Sequence, residues 1–376
     1  MSVTVSEIIS IMEELAPSSL AESWDNVGLQ VGRRDQAVTR IHIALDPTPE
    51  VVAAAAADGA EMLITHHPLI FAPIKTLDLA TPLGDILARS VSSPLSIYSA
   101  HTNLDSAPEG LNASFSRMIG MDSLTPLVPS SDPETVKLVF FVPEEYRHKV
   151  MKALFSGGAG SIGKYSCCSF SSAGRGTYMP DCDAHPFEGS AGKMSCVDEV
   201  RVETVVKHSQ VDQVLAEVRG VHPYETMEYN IYPMVRTSGG DEASMGMGRV
   251  GRFEPPTTLK ALAERVKEVF GMPSVKVVGN PDMPVTRAAV CTGSGASLMK
   301  AFYKSGADVF ISGELKYHDA QTALEMGRGL VDAGHFGTEH FVCTLLTRLL
   351  KEKLKEKGLE VAVVASTMEK DPFALV

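Results

Sequence analysis

The chain contains an internal repeat, and this feature limits the folds it can adopt more than any other. The stretch from Val38 to Thr65 aligns without gaps with the stretch from Val285 to Ser312. The same number of residues separates Val38 from Gly59 and Val285 from Gly306, and an apolar run follows each glycine. Such self-similarity indicates that one supersecondary unit occurs twice. Chance similarity of two short apolar units is the alternative.

Each copy of the repeat has the pattern strand, helix, strand. The helices are predicted at Pro49 to Asp58 and at Ala296 to Ser305. The strands are short and apolar throughout, which is typical of strands that helices cover on both faces. Because right-handed crossovers of this kind join parallel strands, the sequence predicts an α/β fold with a duplicated, doubly wound, mostly parallel sheet core.

A region of different composition separates the two copies. From about Val136 to Pro233 the pattern favours strand, helix, strand, strand, helix, strand, which is typical of a ferredoxin-like α+β module. We therefore expect residues 1–130 to form the first half of the core, 131–240 an inserted domain, and 241–376 the second half. Segments 126–133 and 237–242, rich in Pro, Ser, Gly and Asp, are the expected linkers.

Charge and the N-terminal pattern argue against several classes of protein. The net charge is −12 and no basic stripe is present, unlike a nucleic-acid-binding protein. Thr4 and Glu7 have capping-box spacing ahead of an amphipathic helix, unlike a signal peptide. No apolar run reaches the length of a membrane span. We expect a cytoplasmic protein that binds neither nucleic acid nor membranes.

A pair of histidines marks the end of one predicted strand. His66 and His67 directly follow the buried strand that ends at Thr65, and Pro68 then imposes a turn. Ligand sites in open α/β sheets collect at the carboxyl ends of the strands. The turn could let the two imidazoles address two neighbouring metal ions.

The two halves of the repeat share a further pattern. After a third predicted strand, each half has a small residue, a histidine, and a carboxylate four positions later. In the first half these are His101 and Asp105, and in the second half they are His335 and Glu339. Glu339 is expected in the first turn of a long helix, where the helix dipole favours a carboxylate.

Together, His66, His67, Asp105, His335 and Glu339 offer three imidazoles and two carboxylates. That mixture suits two ions of zinc, manganese or iron better than calcium or magnesium. Two divalent ions about 4 Å apart share a water and polarise a substrate oxygen. The alternative is that these are unrelated polar groups of separate loops.

Neighbouring residues are weaker candidates. His101 is expected to act as a catalytic proton shuttle, as a further ligand, or as an orienting group. Glu314 and His318 follow the strand that ends at Ser312, and a helix-cap or surface role is equally consistent with the pattern. The segment 293–296 could bind a phosphate through backbone N–H groups, or form an ordinary tight turn.

Two motif classes are excluded. Residues 158–165 nearly match a phosphate-binding P-loop, but Tyr165 replaces the required hydroxyl residue, and a predicted helix rather than a strand precedes the loop. None of the six cysteines forms a Cys-x-x-Cys pair, which argues against a zinc ribbon or a thioredoxin-like site.

Several separated segments, in the same order, resemble the GTP cyclohydrolase I type 2 homologues, also called NIF-three-like proteins. These segments are Ser23 to Gly32, Ile64 to Leu69, His101 to Asp105, Gly313 to Asp319 and Asp332 to Glu339. The segments Gly158 to Tyr165 and Val221 to Glu225 resemble the insert of longer bacterial members, which is similar to PII and CutA-like modules. Tyr317 departs from the family, in which many members have a histidine at that position.

The resemblance implies specific properties for this chain. His66, His67, Asp105, His335 and Glu339 would be the ligands of two divalent ions, with Glu339 bridging them. The protein would form a homohexamer, a trimer of dimers, with its sites facing an internal cavity. The family name implies a hydrolase that opens the guanine imidazole ring of GTP, releases formate and forms dihydroneopterin triphosphate.

Two further functions stay open. One is a metal-stabilised ring that binds metabolites or regulatory proteins with little turnover, which the sensor-like insert suggests. The other is a nucleotide phosphohydrolase, which would release phosphate without formate. The sequence does not select the metal, because availability and geometry decide it.

Overall fold

A computed structural model describes residues 2–130, 135–162, 165–234 and 245–374. The chain divides into two compact units, a large one made of Met1–Ser130 with Ser238–Val376, and a small one made of Ser131–Thr237. The predicted linker at 237–242 lies outside the described residues, as do two residues of the near-P-loop, Gly163 and Lys164.

Twelve α-helices and fifteen strands occur in the described part of the chain. The helices are α1 Val5–Leu15, α2 Pro49–Ala57, α3 Pro82–Ser92, α4 Thr102–Ser106, α5 Leu111–Met118, α6 Arg147–Ser156, α7 Val211–Arg219, α8 Leu259–Val269, α9 Met299–Ser305, α10 Tyr317–Glu325, α11 His335–Glu339 and α12 Val342–Glu356. The strands are β1 Gly28–Val31, β2 Arg40–Ala44, β3 Met62–Thr65, β4 Ser96–Ser99, β5 Asp122–Pro129, β6 Thr135–Val142, β7 Ser169–Tyr178, β8 Ser195–Lys207, β9 Tyr229–Pro233, β10 Gly246–Thr258, β11 Lys276–Val278, β12 Pro284–Cys291, β13 Val309–Ser312, β14 Gly329–Asp332 and β15 Ala362–Ala365. Within these residues no helix has the length and apolar character needed to cross a bilayer.

The first sheet of the large unit has the order β1-β4-β3-β2-β15. Strands β4, β3, β2 and β15 are parallel, and only β1 is antiparallel to its neighbour. Apolar residues of α1 and α12 pack on one face and those of α2 and α3 on the other. Helix α1 begins as predicted, because Thr4 and Glu7 form a complete capping box. This sheet has the mostly parallel, helix-covered form that the sequence predicts.

The second sheet has the order β11-β14-β13-β12-β10-β5 and differs from the prediction. The pairs β12–β13 and β13–β14 are parallel, but the other three pairs are antiparallel. The predicted linker at 126–133 is also wrong in its first part, because Pro126 and Pro129 belong to β5. Prolines are tolerated there because β5 is an edge strand and one side needs no hydrogen-bond donors. Overall, the fold is mixed α/β with both parallel and antiparallel pairing.

The small unit contains a four-stranded sheet of order β7-β8-β6-β9, with all neighbours antiparallel. Along the chain its elements follow the order β6, α6, β7, β8, α7, β9. Apolar side chains of α6 and α7, among them Leu154 and Leu215, pack against the sheet in one core. Strand β7 has no clear apolar pattern and is mostly exposed, so the sequence did not delimit it.

Candidate metal centre

The five predicted ligands meet at the carboxyl ends of strands from both sheets of the large unit. His66 and His67 follow β3, and Asp105 lies in the short helix α4 that follows β4. His335 and Glu339 are the first and last residues of α11, which follows β14. The ring centroids of His67 and His335 are 5.3 Å apart. The structure therefore brings together side chains from distant parts of the sequence.

Glu339 lies at the centre of the cluster and presents its two oxygens to different partners. Its Oε2 is 2.8 Å from Nε2 of His335 and 3.0 Å from Nε2 of His67. Its Oε1 is 3.8 Å from Nε2 of His66, which is also 3.8 Å from Oδ1 of Asp105. The Glu339 carboxylate thus lies between two groups of donor atoms. One group comes from His67 and His335, and the other from His66 and Asp105.

The three histidines of the cluster, and His101 beside them, are held through Nδ1, so that Nε2 is left for the site. Nδ1 of His66 donates to the carbonyl oxygen of Ala100 at 2.8 Å. Carboxylates accept from the other three rings: Asp46 from His67 at 2.7 Å, Asp25 from His101 at 2.9 Å, and Glu314 from His335 at 3.0 Å. Metal-binding histidines have this arrangement, because the second hydrogen bond fixes the tautomer and the ring orientation.

Two buried polar atoms in the cluster have no hydrogen-bond partner among the described residues. They are Nε2 of His66 and Oδ1 of Asp105, on side chains that are 0% and 9% exposed. Leaving a buried donor or acceptor unpaired costs about 1–3 kcal/mol. An ion between them would satisfy both atoms, so the residues present fit a metal. Two triads have donor atoms within 4.8 Å of one another, His66–His67–His101 and His67–His335–Glu339.

The electrostatics of the cluster also favour a cation. Burial acts to raise the pKa of Glu339, but its hydrogen bonds with His335 and His67 hold that pKa well below its usual value. Burial raises the pKa of Asp105, and the Glu339 charge adds to this effect. Burial acts to lower the pKa of His67, but hydrogen bonds with Asp46 and Glu339 raise it to about 10. The carboxylates thus require positive charge beside them, which either protonated imidazoles or a bound cation supplies.

Gly293 allows the backbone after β12 to lie against the cluster. A Cβ at this position would be 2.0 Å from Oε1 of Glu339, and its φ is +62°. The phosphate-binding alternative for residues 293–296 is not favoured, because two of the N–H groups are already used. Those of Gly293 and Gly295 donate to the hydroxyls of Thr338 and Ser312. The tight-turn alternative agrees with these contacts.

The weaker candidates separate into two groups. The His101 ring lies 5.1 Å from His66 and 5.6 Å from His67, and Glu314 orients His335. His318 lies on α10 and is exposed, and its Nδ1 is 3.3 Å from the carboxamide oxygen of Gln321. Among the described residues, the contacts of His318 are with residues of its own helix and none is with the cluster.

Sequence reasoning missed residues that support the site. Asn112 donates to the backbone oxygen of Asp105 at 3.1 Å and accepts from the N–H of Thr292 at 2.8 Å, which ties the two halves together. Asp46 and Asp25 were missed too, although Asp25 belongs to a motif that carries the family resemblance. Trp24 is 57% exposed and lies 5.9 Å from Phe71 and 6.1 Å from His101, between ring centroids.

Comparisons with known proteins show relatives that match over almost the whole chain. The profile of the Duf34/NIF3 (NGG1p interacting factor 3) family matches residues 3–372. The chain is 35% identical to a GTP cyclohydrolase 1 type 2 homolog of Halalkalibacterium halodurans, over 98% of both chains. It is 34% identical to the homolog of Bacillus subtilis, over 100% of this chain and 99% of the relative.

Solved structures give the same result. The fold is similar to that of a Bacillus cereus protein related to NIF3, with a TM-score of 0.70 and 36% identity over 100% of both chains. It is also similar to the Staphylococcus aureus protein SA1388, with a TM-score of 0.79 and 29% identity over 100% of this chain and 99% of the other. The chain belongs to the Duf34/NIF3 family.

Proposed function

We propose that the protein is a dinuclear divalent-metal hydrolase of the GTP cyclohydrolase 1 type 2 kind, acting on a nucleotide or a related small molecule. The observation that carries this proposal is the position of Glu339, whose two oxygens face separate groups of donors. His66 and Asp105 would hold one ion and His67 and His335 the other, with Glu339 shared. Three nitrogen and two oxygen donors suit zinc, manganese or iron.

The reaction chemistry would be divided between the ions and the chain. Paired divalent ions supply Lewis acidity and water activation at neutral pH. Asp25 holds Nδ1 of His101, which leaves Nε2 to accept or deliver a proton beside His66 and His67. His101 is therefore the candidate catalytic residue for proton transfer.

An aromatic pair next to the cluster supports a planar substrate. Trp24 and Phe71 are each 57% exposed, and the Trp24 ring lies edge-on to His101. Exposed aromatic faces stack on nucleobases, with about 1–3 kcal/mol per base. A purine ring on Trp24 would place the rest of a nucleotide close to the cluster, in agreement with GTP or a similar substrate.

The decisive experiment measures turnover by the metal-loaded full-length protein. GTP and a panel of phosphoesters are incubated with wild type, Asp105→Ala and His318→Ala, and formate and phosphate are measured. We expect turnover in wild type and in His318→Ala, because His318 is outside the cluster, and loss in Asp105→Ala. Phosphate without formate would identify a phosphohydrolase, and no turnover on any substrate would contradict the hydrolase proposal.

The second candidate function is a metal-stabilised ring that binds metabolites with little or no turnover. A cavity of about 610 Å³ in the small unit favours it, since small-molecule sites have volumes of about 300–1,000 Å³. Aromatic and charged side chains line this cavity, among them Arg175, Glu199, Phe187 and Tyr224. Saturable binding of a metabolite, lost in Tyr224→Ala and without product formation, would support this function.

We further propose that the large unit is a duplication, with residues 1–130 and 241–376 as its halves and residues 131–240 as an inserted ferredoxin-like, PII/CutA-like domain. One contact recurs at corresponding places and supports this. Glu61 accepts from the backbone N–H groups of Thr39 and Arg40, and Asp308 accepts from those of Thr286 and Arg287, all at 2.9 Å.

A homohexamer, as a trimer of dimers, is the proposed assembly. The family resemblance supports it, and so does an exposed apolar segment of the large unit that contains Ile74, Leu77 and Leu79. Exposed apolar patches of this kind are typical of protein interfaces. Light scattering on purified protein tests the proposal, and a monomer at micromolar concentration would contradict it.

A further inference from the structure

Near the candidate metal centre lies a second group of side chains with metal-binding atoms. His340 follows α11, Cys343 is in the first turn of α12, and Glu369 is in the segment after β15. One atom from each of the three lies within 4.8 Å of the other two. Sγ of Cys343 is 3.5 Å from Oε2 of Glu369, and Nε2 of His340 is 3.9 Å from the same oxygen.

The surroundings of His340 account for the orientation of its ring but not for its buried Nε2 atom. Its ring stacks on Phe336 at 4.5 Å between centroids and 17° between planes, which fixes its orientation. Its Nε2 is buried and has no hydrogen-bond partner in the described part of the chain, because the 3.9 Å separation from Glu369 is too long for a hydrogen bond. Buried polar nitrogens are normally paired, so this atom is a candidate for binding an ion.

Glu369 is buried, with a side chain 5% exposed, and it retains coordinating capacity. Its Oε1 accepts from the backbone N–H groups of Leu45 at 3.0 Å and Asp46 at 2.8 Å, and its Oε2 accepts a longer bond of 3.2 Å from Leu45. A carboxylate oxygen has two lone pairs, so Oε2 can still serve as a ligand. A hydrogen bond from the Cys343 thiol explains two members of the group but not His340.

We propose that His340, Cys343 and Glu369 form a separate site for a single thiophilic divalent cation of the zinc type. A thiolate, an imidazole and a carboxylate are all zinc ligands, and three protein ligands leave a fourth position for water. On binding, the S–H bond of Cys343 breaks, its proton passes to water, and sulfur bonds to the ion. The two ligand negative charges then balance the charge of the ion.

This site would influence the candidate metal centre through one short connection. Glu369 holds the backbone N–H of Asp46, and the Asp46 carboxylate accepts from Nδ1 of His67 at 2.7 Å. An ion that fixes Glu369 would fix Asp46 and thus the orientation of His67. The assignment itself does not depend on the proposed hydrolase function, because its ligands are different residues.

Cobalt spectroscopy separates the two sites, because only this one contains a sulfur ligand. Full-length protein is loaded with Co²⁺ and scanned in the near ultraviolet, where thiolate-to-cobalt charge transfer absorbs. We expect the band in wild type, in Asp105→Ala and in Cys291→Ser, which changes the other buried cysteine. The band should disappear in Cys343→Ser, and zinc content measured by mass spectrometry should fall by about one equivalent.

His340→Phe provides a second variant, because a phenyl ring keeps the stacking on Phe336 and removes the nitrogen. We expect zinc affinity at this site to fall by at least about tenfold, with an unchanged melting temperature in metal-free buffer. If Cys343→Ser fails to fold, this variant decides the question. No band in wild type, a band that persists in Cys343→Ser, or a band lost in Asp105→Ala would overturn the proposal.

Discussion

In the large unit, residues at corresponding positions of the two aligned segments, 38–65 and 285–312, have different roles. After β2 stands Asp46, whose carboxylate orients His67. At the corresponding place after β12 stands Gly293, which has no side chain and lets the backbone lie against Glu339. The same place in the topology thus provides an orienting group in one half and close packing in the other.

The positions after the next strands show a second exchange. His66 and His67 follow β3, whereas Gly313 and Glu314 follow β13. Glu314 accepts a hydrogen bond from Nδ1 of His335 and so orients that ring. At the aligned position just after the first segment, His67 itself carries an imidazole. The two aligned segments therefore place residues at corresponding strand ends, and the residue type at each position decides whether it is a candidate ligand or a supporting group.

The largest expected effect in this comparison is that of Glu339→Gln. The substitution keeps the shape of the side chain but removes the charge that faces both donor groups. Because loss of an orienting residue costs about 10–100-fold in metal affinity, loss of the shared ligand should cost more than about 100-fold. The metal content of the variant after dialysis measures this loss of affinity. Two metal equivalents retained per chain would contradict the role of Glu339 as a shared ligand.

The next prediction concerns Gly293→Ala, with Gly306→Ala as the matched control. Both glycines have positive φ, at 62° and 72°, but an added Cβ meets Glu339 only at Gly293. Forcing a methyl into packed surroundings costs about 1–3 kcal/mol in addition to the backbone strain that both variants share. Urea unfolding should therefore show a larger loss for Gly293→Ala, together with reduced metal binding. Equal losses would contradict the close approach.

Asp46 and Glu314 each orient a histidine, so substitutions at the two positions should have the same kind of effect on metal binding. Asp46→Asn and Glu314→Gln should each lower metal affinity by about 10–100-fold. Asp46→Asn should have the larger effect, because its bond to His67 is 2.7 Å whereas that of Glu314 to His335 is 3.0 Å. Competition with a chromophoric chelator measures both. An unchanged metal affinity in either variant would show that the histidine beside the substituted residue needs no orienting carboxylate.

The smallest effect is predicted for the contact that both halves share. Glu61→Gln and Asp308→Asn each weaken two hydrogen bonds from backbone N–H groups, those of Thr39 and Arg40 for Glu61 and those of Thr286 and Arg287 for Asp308. We expect each to lower the free energy of unfolding by about 1–2 kcal/mol, by similar amounts. Chemical denaturation tests this, and a difference of more than about 2 kcal/mol would mean that the two contacts are not equivalent.

The sequence predicted the core elements well because their patterns are local. The helix after Thr4 follows from its capping box, and β3 and β13 follow from short apolar runs. The linker prediction for residues 126–133 is wrong over 126–129, which belong to β5, because prolines are common in loops and only an edge position makes them compatible with a sheet. Strand β7 is rich in serine and glycine and is mostly exposed, so no periodic pattern revealed it.

That the candidate ligands lie close together was predictable from the sequence, whereas the carboxylates that hydrogen-bond to the histidines were not. His66, His67 and His335 directly follow apolar strands or the loops after them, and topology places such residues at one edge. The carboxylates that orient them come from elsewhere in the chain: Asp25 meets His101 across 76 positions, and Asp46 meets His67 across 21. No local pattern marks such a contact, and only the folded backbone reveals it.

The pairing of β15, near the end of the sequence, with β2, near its beginning, affects how the chain folds. Residues 362–365 complete the first sheet by pairing with β2 at residues 40–44, and α12 packs with α1 in the same core. Such non-local pairing slows folding, because a long loop must close before its contacts are gained. During synthesis the amino-terminal half would emerge with one sheet edge unprotected, and it would depend on late-made residues to shield that edge.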